Sequence, residues 1–74
     1  MKTLRAQIAS APDRDNVIYE IWHGRYEVAE ISKEPGRDYE IELYPAPAGE
    51  IWHFDLNEFK AMIDDGIREL ASNR

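Results

Sequence analysis

The sequence predicts an α+β fold: a meander-like antiparallel sheet of four to five strands packed on one C-terminal α-helix. Three observations predict it. Runs that alternate apolar and polar residues recur as far as Phe54, the period of half-buried strands. Turn chemistry rich in Pro, Gly, Asp and Asn separates those runs. After Asp55 the apolar residues change to the three-and-four spacing of an amphipathic helix. Strands followed by one terminal helix make two layers, with the helix on one face of the sheet. The strands fall at about 2–9, 16–23, 25–32, 38–44 and 50–54 and the helix at about 56–71, in a single domain over 1–74.

In the first strand Leu4, Ala6 and Ile8 share a side opposite Thr3, Arg5 and Gln7, a pattern suited to a half-buried strand near an edge. Ala11-Pro12-Asp13-Arg14-Asp15-Asn16 is a turn segment in which Pro12 fixes φ. Val17 to Trp22 is rich in branched and aromatic residues, and His23-Gly24-Arg25 closes a hairpin onto Tyr26 to Ile31. Strict alternation puts Val17, Tyr19, Ile21, Tyr26, Val28 and Glu30 on the core side. It puts Ile18, Glu20, Trp22, Arg25, Glu27, Ala29 and Ile31 on the other side. Pro35-Gly36 marks the next turn. Tyr39, Ile41 and Leu43 then point inward, and Glu40, Glu42 and Tyr44 outward. Pro45 and Pro47 end that strand, because neither can donate to a central ladder. For the short run 50–54, either Trp52 and Phe54 or Ile51 and His53 face the core.

Asp55 is placed as the helix N-cap, with Glu58 at N3 as the acid of a capping-box-like pair. Phe54 and Phe59 are spaced for a hydrophobic staple. Leu56, Phe59, Ile63, Ile67 and Leu70 predict the buried face, and Lys60–Asp64 and Asp64–Arg68 are candidate ion pairs on the wet one. Gly66 costs a helix about 1 kcal/mol relative to alanine, which close approach to the sheet would explain.

A chain of 74 residues has room for one core, which rarely supplies more than roughly 3–5 kcal/mol of net stability. The absence of cysteine closes the disulfide and thiolate-zinc routes to more. No apolar run is long enough to span a membrane, and Met1-Lys2-Thr3-Leu4-Arg5 has no apolar stretch behind its basic residues. The expectation is therefore a cytoplasmic protein with no membrane partner. Of the net charge of −6, residues 16–50 carry −5, a field that repels phosphate backbones and attracts basic proteins.

Glu-Ile-Trp-His occurs twice, at Glu20–His23 and Glu50–His53. Two histidines with no third ligand at a telling spacing do not define a metal site. Ser10, Ser32 and Ser72 lie in a strand end, a loop and a tail rather than a nucleophile elbow. The expectation is no cofactor, no metal and no enzymatic activity.

The sheet face away from the helix is the candidate site, through Ile18, Glu20, Trp22, Arg25, Glu27, Glu40, Glu42 and Tyr44. Aromatic residues among acids have the composition of a protein-binding surface, anchored by the rings and steered by the charges. The leading expectation is a non-enzymatic protein-binding module. Its composition is that of a small acidic inhibitor or regulator of the immunity, antitoxin or phage anti-defence type, acting on a basic partner. A structural homodimer, with Trp22 interfacial, is the alternative. A third reading rests on Gly49-Glu50-Ile51-Trp52-His53-Phe54-Asp55-Leu56 leading into the helix. In hydrophobic spacing this C-terminal half resembles the transcriptional-coactivator type of single-strand-binding domain. The resemblance implies nucleic-acid binding, but such grooves are basic, and the acidity of this sheet disfavours it.

Overall fold

A computed structural model describes residues 3–72. Four strands, β1 (Arg5–Ala9), β2 (Ile18–His23), β3 (Tyr26–Ser32) and β4 (Glu40–Leu43), precede one helix, α1 (Leu56–Ser72). Sheet order follows chain order and every neighbouring pair is antiparallel, so the α+β meander is the fold. The predicted start of the first strand at residue 2 lies outside the described residues.

The β2–β3 hairpin turns through Gly24 and Arg25, with His23 opposite Tyr26. Gly24 has φ 59°, the positive value that the first central position of a type II′ turn requires. Further along, the register shifts: Trp22 pairs with Glu27, but Ile21 pairs with Ala29, leaving Val28 as a bulge residue. The bulge overturns the strict alternation expected for β3. Ala29 and Ile31 turn to the helix side and are 0% and 3% exposed, whereas Glu30 turns outward. The sequence Tyr-Glu-Val-Ala-Glu-Ile suits this, since two adjacent apolar residues let both flanking glutamates leave the core.

No fifth strand forms at 50–54. Glu50 N–H donates to Pro47 O (3.0 Å), and Trp52 Nε1 donates to Tyr44 O (2.7 Å). Trp52 and Phe54 are packed against the core while Ile51 is 83% exposed, which settles the facing of this run. Side-chain anchoring replaces a ladder here, because the two prolines and the turn carry the chain off β4 before it can pair.

Asp55 caps α1 as expected, accepting from Glu58 N–H at 2.8 Å. Phe54 and Phe59 stack at 5.9 Å, completing the staple. Glu58 does not return to the cap. Its carboxylate accepts instead from the backbone N–H groups of Thr3 (2.7 Å) and Leu4 (2.9 Å), tying the start of the chain to the helix. The buried stripe is also rotated from the expected one. Gly66 and Leu70 are buried and Phe59, Met62 and Ile63 half-buried, but Leu56 is 71% exposed and Ile67 is open as well. Arg68 pairs with Asp65 (3.1 Å) rather than Asp64, and among the described residues no ion pair joins Lys60 to Asp64.

Gly66 explains the rotation. A β-carbon there would lie 2.8 Å from both Ile31 Cδ1 and Tyr19 Cδ2, so the helix rests its glycine directly on β2 and β3. Tyr19 OH then reaches Asp65 at 2.7 Å beside it. A helix is about 10–12 Å across and strands lie about 4.8 Å apart, so one helix covers about two strands of four. α1 lies on β2 and β3, and both edge strands keep helix-side residues open. On β1 these are Ala6 and Ile8, and on β4 they are Ile41 and Leu43.

Candidate functional site on the outer sheet face

Register dictates what the outer face presents. Glu20 on β2 lies opposite Glu30 on β3, which lies opposite Glu42 on β4. Like charges directly opposite each other destabilise a sheet, so this row requires compensation. Arg14 supplies it from the β1–β2 loop, donating to Glu30 Oε2 (2.6 Å) and Glu42 Oε1 (2.7 Å). Tyr44 OH donates to Glu30 Oε1 (3.0 Å), and Trp22 Nε1 donates to Glu20 Oε1 (3.2 Å). Burial works against the charge on Arg14, but the bond and charge of Glu30 together with Glu42 outweigh it and raise its pKa. Burial, then the bond to Glu30, raises the Tyr44 phenol.

The loop that carries Arg14 is locked by its own sequence. Arg14 N–H closes a turn onto Ala11 O across Pro12, and the backbone N–H groups of Asp15 and Asn16 both donate to the Glu34 carboxylate. Arg14 therefore draws the loop over one end of the outer face. This face has a partial cover that the inventory of helices and strands did not predict.

Ile18 is 2% exposed and stands outside the cluster beneath the helix, so it offers no surface to a partner. That corrects its assignment as a contact residue: it holds the outer-face position that alternation gives it, but it is buried there. Arg25 is also displaced: it sits in the hairpin turn with its guanidinium 5.5 Å from the Tyr26 ring. Glu20, Trp22, Glu27 and Tyr44 are half-buried on the face, and Glu40 and Glu42 are exposed along its β4 margin. The Trp22 ring is roofed by the Arg5 guanidinium at 5.3 Å, a cation–π contact.

Glu27 is the strained member. Its Oε2 is buried with no hydrogen-bond partner, and it faces the Glu20, Glu30 and Glu42 charges. Burial first, then those charges, pushes its pKa up to about 7.

Sequence reading missed Glu30, Arg14 and Arg5 as parts of this face. The adjacent Val28-Ala29 pair signals the bulge that turns Glu30 outward. Nothing local signals the partners of the two arginines, which are set by tertiary register. The histidines do not converge into a ligand set: His23 lies edge-on to Trp52 (6.2 Å) and Phe54 (5.6 Å), and His53 is exposed. Among the described residues no group of three His, Asp or Glu side chains is arranged to hold a metal ion. No helix among the described residues is long and apolar enough to cross a membrane.

No family model, no curated protein and no solved structure matches the chain. The likeness of its C-terminal half to the coactivator type of domain accordingly remains one of hydrophobic spacing.

Proposed function

We propose that this protein is a non-enzymatic protein-binding module, a small acidic inhibitor or regulator acting on a basic partner in the cytoplasm. The observation that carries the reading is the row of Glu20, Glu30 and Glu42 across three strands, continued by exposed Glu40. Three carboxylates in register oppose one another in the free protein, and among the described residues only Arg14 bridges two of them. A basic surface laid on this face relieves that repulsion and adds charge-assisted hydrogen bonds. Trp22 supplies the aromatic anchor, and its Arg5 roof can be displaced by a partner side chain.

The test is capture from native lysate by immobilised protein, with elution in a salt gradient. Basic proteins should be retained and released as salt rises, and Glu20→Lys with Glu40→Lys should release them earlier. Retention of the same proteins by that variant, at the same salt, would refute the reading. Glu42 is left intact because its loss would also remove one of the two carboxylates that hold Arg14.

A further inference from the structure

We propose that β4 accepts an extended segment of a partner protein as a fifth strand, a segment whose side chains alternate between aliphatic and basic. The inference rests on the protein-binding reading above and specifies how the partner is held.

The edge is open. Tyr44 N–H donates to Val28 O at 2.9 Å, continuing the β3–β4 ladder by one pair. In an antiparallel ladder, residues that bond to the neighbour alternate with residues that point away. Glu40, Glu42 and Tyr44 therefore turn their backbone groups to β3, and Ile41 and Leu43 turn theirs outward. Among the described residues no turn, loop or cap backbone hydrogen bond reaches Ile41 or Leu43. Sheet edges are commonly blunted by short length, charge, proline or a bulge. Glu40-Ile41-Glu42-Leu43 has no proline or bulge, and its shortness and two acidic charges leave it selective for a basic strand.

The two sides of that edge differ, and the difference specifies the occupant. On the helix side Ile41 and Leu43 are 42% and 67% exposed because α1 is too narrow to reach them, and Ile67 on the helix is 38% exposed. On the outer side Glu40 and Glu42 each give one oxygen to an arginine, at 2.8 and 2.7 Å, and among the described residues no bond engages the other. A concavity of about 510 Å³ opens beside them, lined by Glu34, Glu40 and Glu42 against Arg14 and Arg37. Three carboxylates against two guanidinium groups leave it acidic. An added strand would set aliphatic side chains beside Ile41 and Leu43, and lysine or arginine beside the free oxygens of Glu40 and Glu42. This is strand addition, with backbone bonds for affinity and alternate side chains for selection.

A second copy pairing β4 with β4 fits poorly, since the outer glutamates of one chain would face those of the other. Pairing of β4 with β1 of another copy would match Arg5 to the glutamates, but it is head-to-tail, so it would build rings or growing chains rather than a closed pair.

The probes are three eight-residue peptides: alternating Lys and Val, the same residues in two blocks, and alternating Glu and Val. Affinity is read by fluorescence anisotropy, and contact by amide hydrogen exchange at Ile41 and Leu43. The alternating Lys/Val peptide should bind at least about tenfold tighter than the blocked one and slow exchange at both amides. Leu43→Pro removes an edge N–H that faces solvent and should abolish the preference. Leu43→Lys, at a position already open, gives the same readout if the proline variant misfolds. Equal affinity for alternating and blocked peptides, or binding unchanged in both Leu43 variants, overturns strand addition. If Glu20→Lys with Glu40→Lys still weakens that binding, the acidic-face reading survives alone. Assemblies that grow with concentration in the absence of peptide, and that Leu43→Pro dissolves, would assign the edge to a second copy and also overturn the proposal.

Discussion

The two faces of the sheet are held by different physics, although the same strands supply both. Beneath the helix, Tyr19, Ile21, Val28, Ala29 and Ile31 form a nearly dry cluster whose stability comes from apolar area removed from water. On the outer face Glu30, Arg14, Tyr44 and Glu42 form a polar network in which each group has at least one named partner. The difference teaches how each face fails. An apolar face loses stability in proportion to the volume removed. A polar network fails abruptly when one member leaves another buried and unsatisfied.

The comparison breaks most visibly at Ile21, which is 0% exposed. Ile21→Ala should cost about 3 kcal/mol, from lost transfer energy and the cavity left behind, as a fall in the urea midpoint. For a domain of this size that approaches the whole stability, so partial unfolding at 25 °C is the expected phenotype. A loss below about 1 kcal/mol would mean that the helix collapses into the space and that the cluster is softer than its burial indicates.

Arg14→Ala tests the other face. Glu30 is only 9% exposed and would keep its Tyr44 bond but lose its counter-charge. The expected cost is about 2 kcal/mol, the penalty of an under-satisfied buried group. The sharper experiment adds Glu30→Gln. If the network account holds, the double variant recovers part of that loss, because the stranded charge is gone. Additive losses would mean that Arg14 acts only by holding its loop, and the contrast between the faces would narrow.

Gly66→Ala probes the join between helix and sheet. The alanine gains about 1 kcal/mol of helix propensity, but its β-carbon would meet Ile31 Cδ1 and Tyr19 Cδ2 at 2.8 Å. Ile31 can change rotamer. The Tyr19 ring is fixed by its bond to Asp65, so it must carry the helix outward. Overpacking of this kind costs about 1–3 kcal/mol, and a net destabilisation of about 1 kcal/mol is expected by thermal melting. A stabilised variant would show that the close approach is dispensable.

Most of the fold was legible because it rests on local chemistry. The hairpin at Gly24, the cap at Asp55, the staple of Phe54 and Phe59 and the outward facing of Glu40, Glu42 and Tyr44 all follow from short-range pattern. Failures occurred where long-range geometry decides. The bulge at Val28 reversed Ala29, Glu30 and Ile31, since one extra residue inverts every position beyond it. Glu58 satisfies the capping pattern, yet the N–H groups of Thr3 and Leu4 claim it. Leu56 and Ile67 carry the right period but flank a stripe that Gly66 centres elsewhere. Of the candidate site, the acidic residues were readable and the arginines that organise them were not. Ile18 lies on the face that alternation gives it, but its burial there was not readable, because strand period fixes a side and not an exposure.

The smallest effect separates two carboxylates of opposite linkage. Glu58 is held below its ordinary pKa by the N–H groups of Leu4 and Thr3, so its contribution is present at neutral pH and is lost as pH falls through that lowered value. Glu27 runs the other way. Its pKa rises from 4.5 to about 7, so between those values the folded chain binds more protons at this site than the unfolded chain. Stability from this site is therefore greatest in acid and declines as pH rises from about 4.5 to about 7. Glu27→Gln replaces the carboxylate with a neutral amide that also offers a donor to the surrounding glutamates. The variant should match the wild type near pH 5, exceed it above pH 7, and remove the decline between, by under about 1 kcal/mol since solvent still reaches the side chain. Urea midpoints measured from pH 5 to pH 8 decide it. Parallel curves for the two proteins would place Glu27 ionised and solvated throughout, leaving the outer face without a strained member.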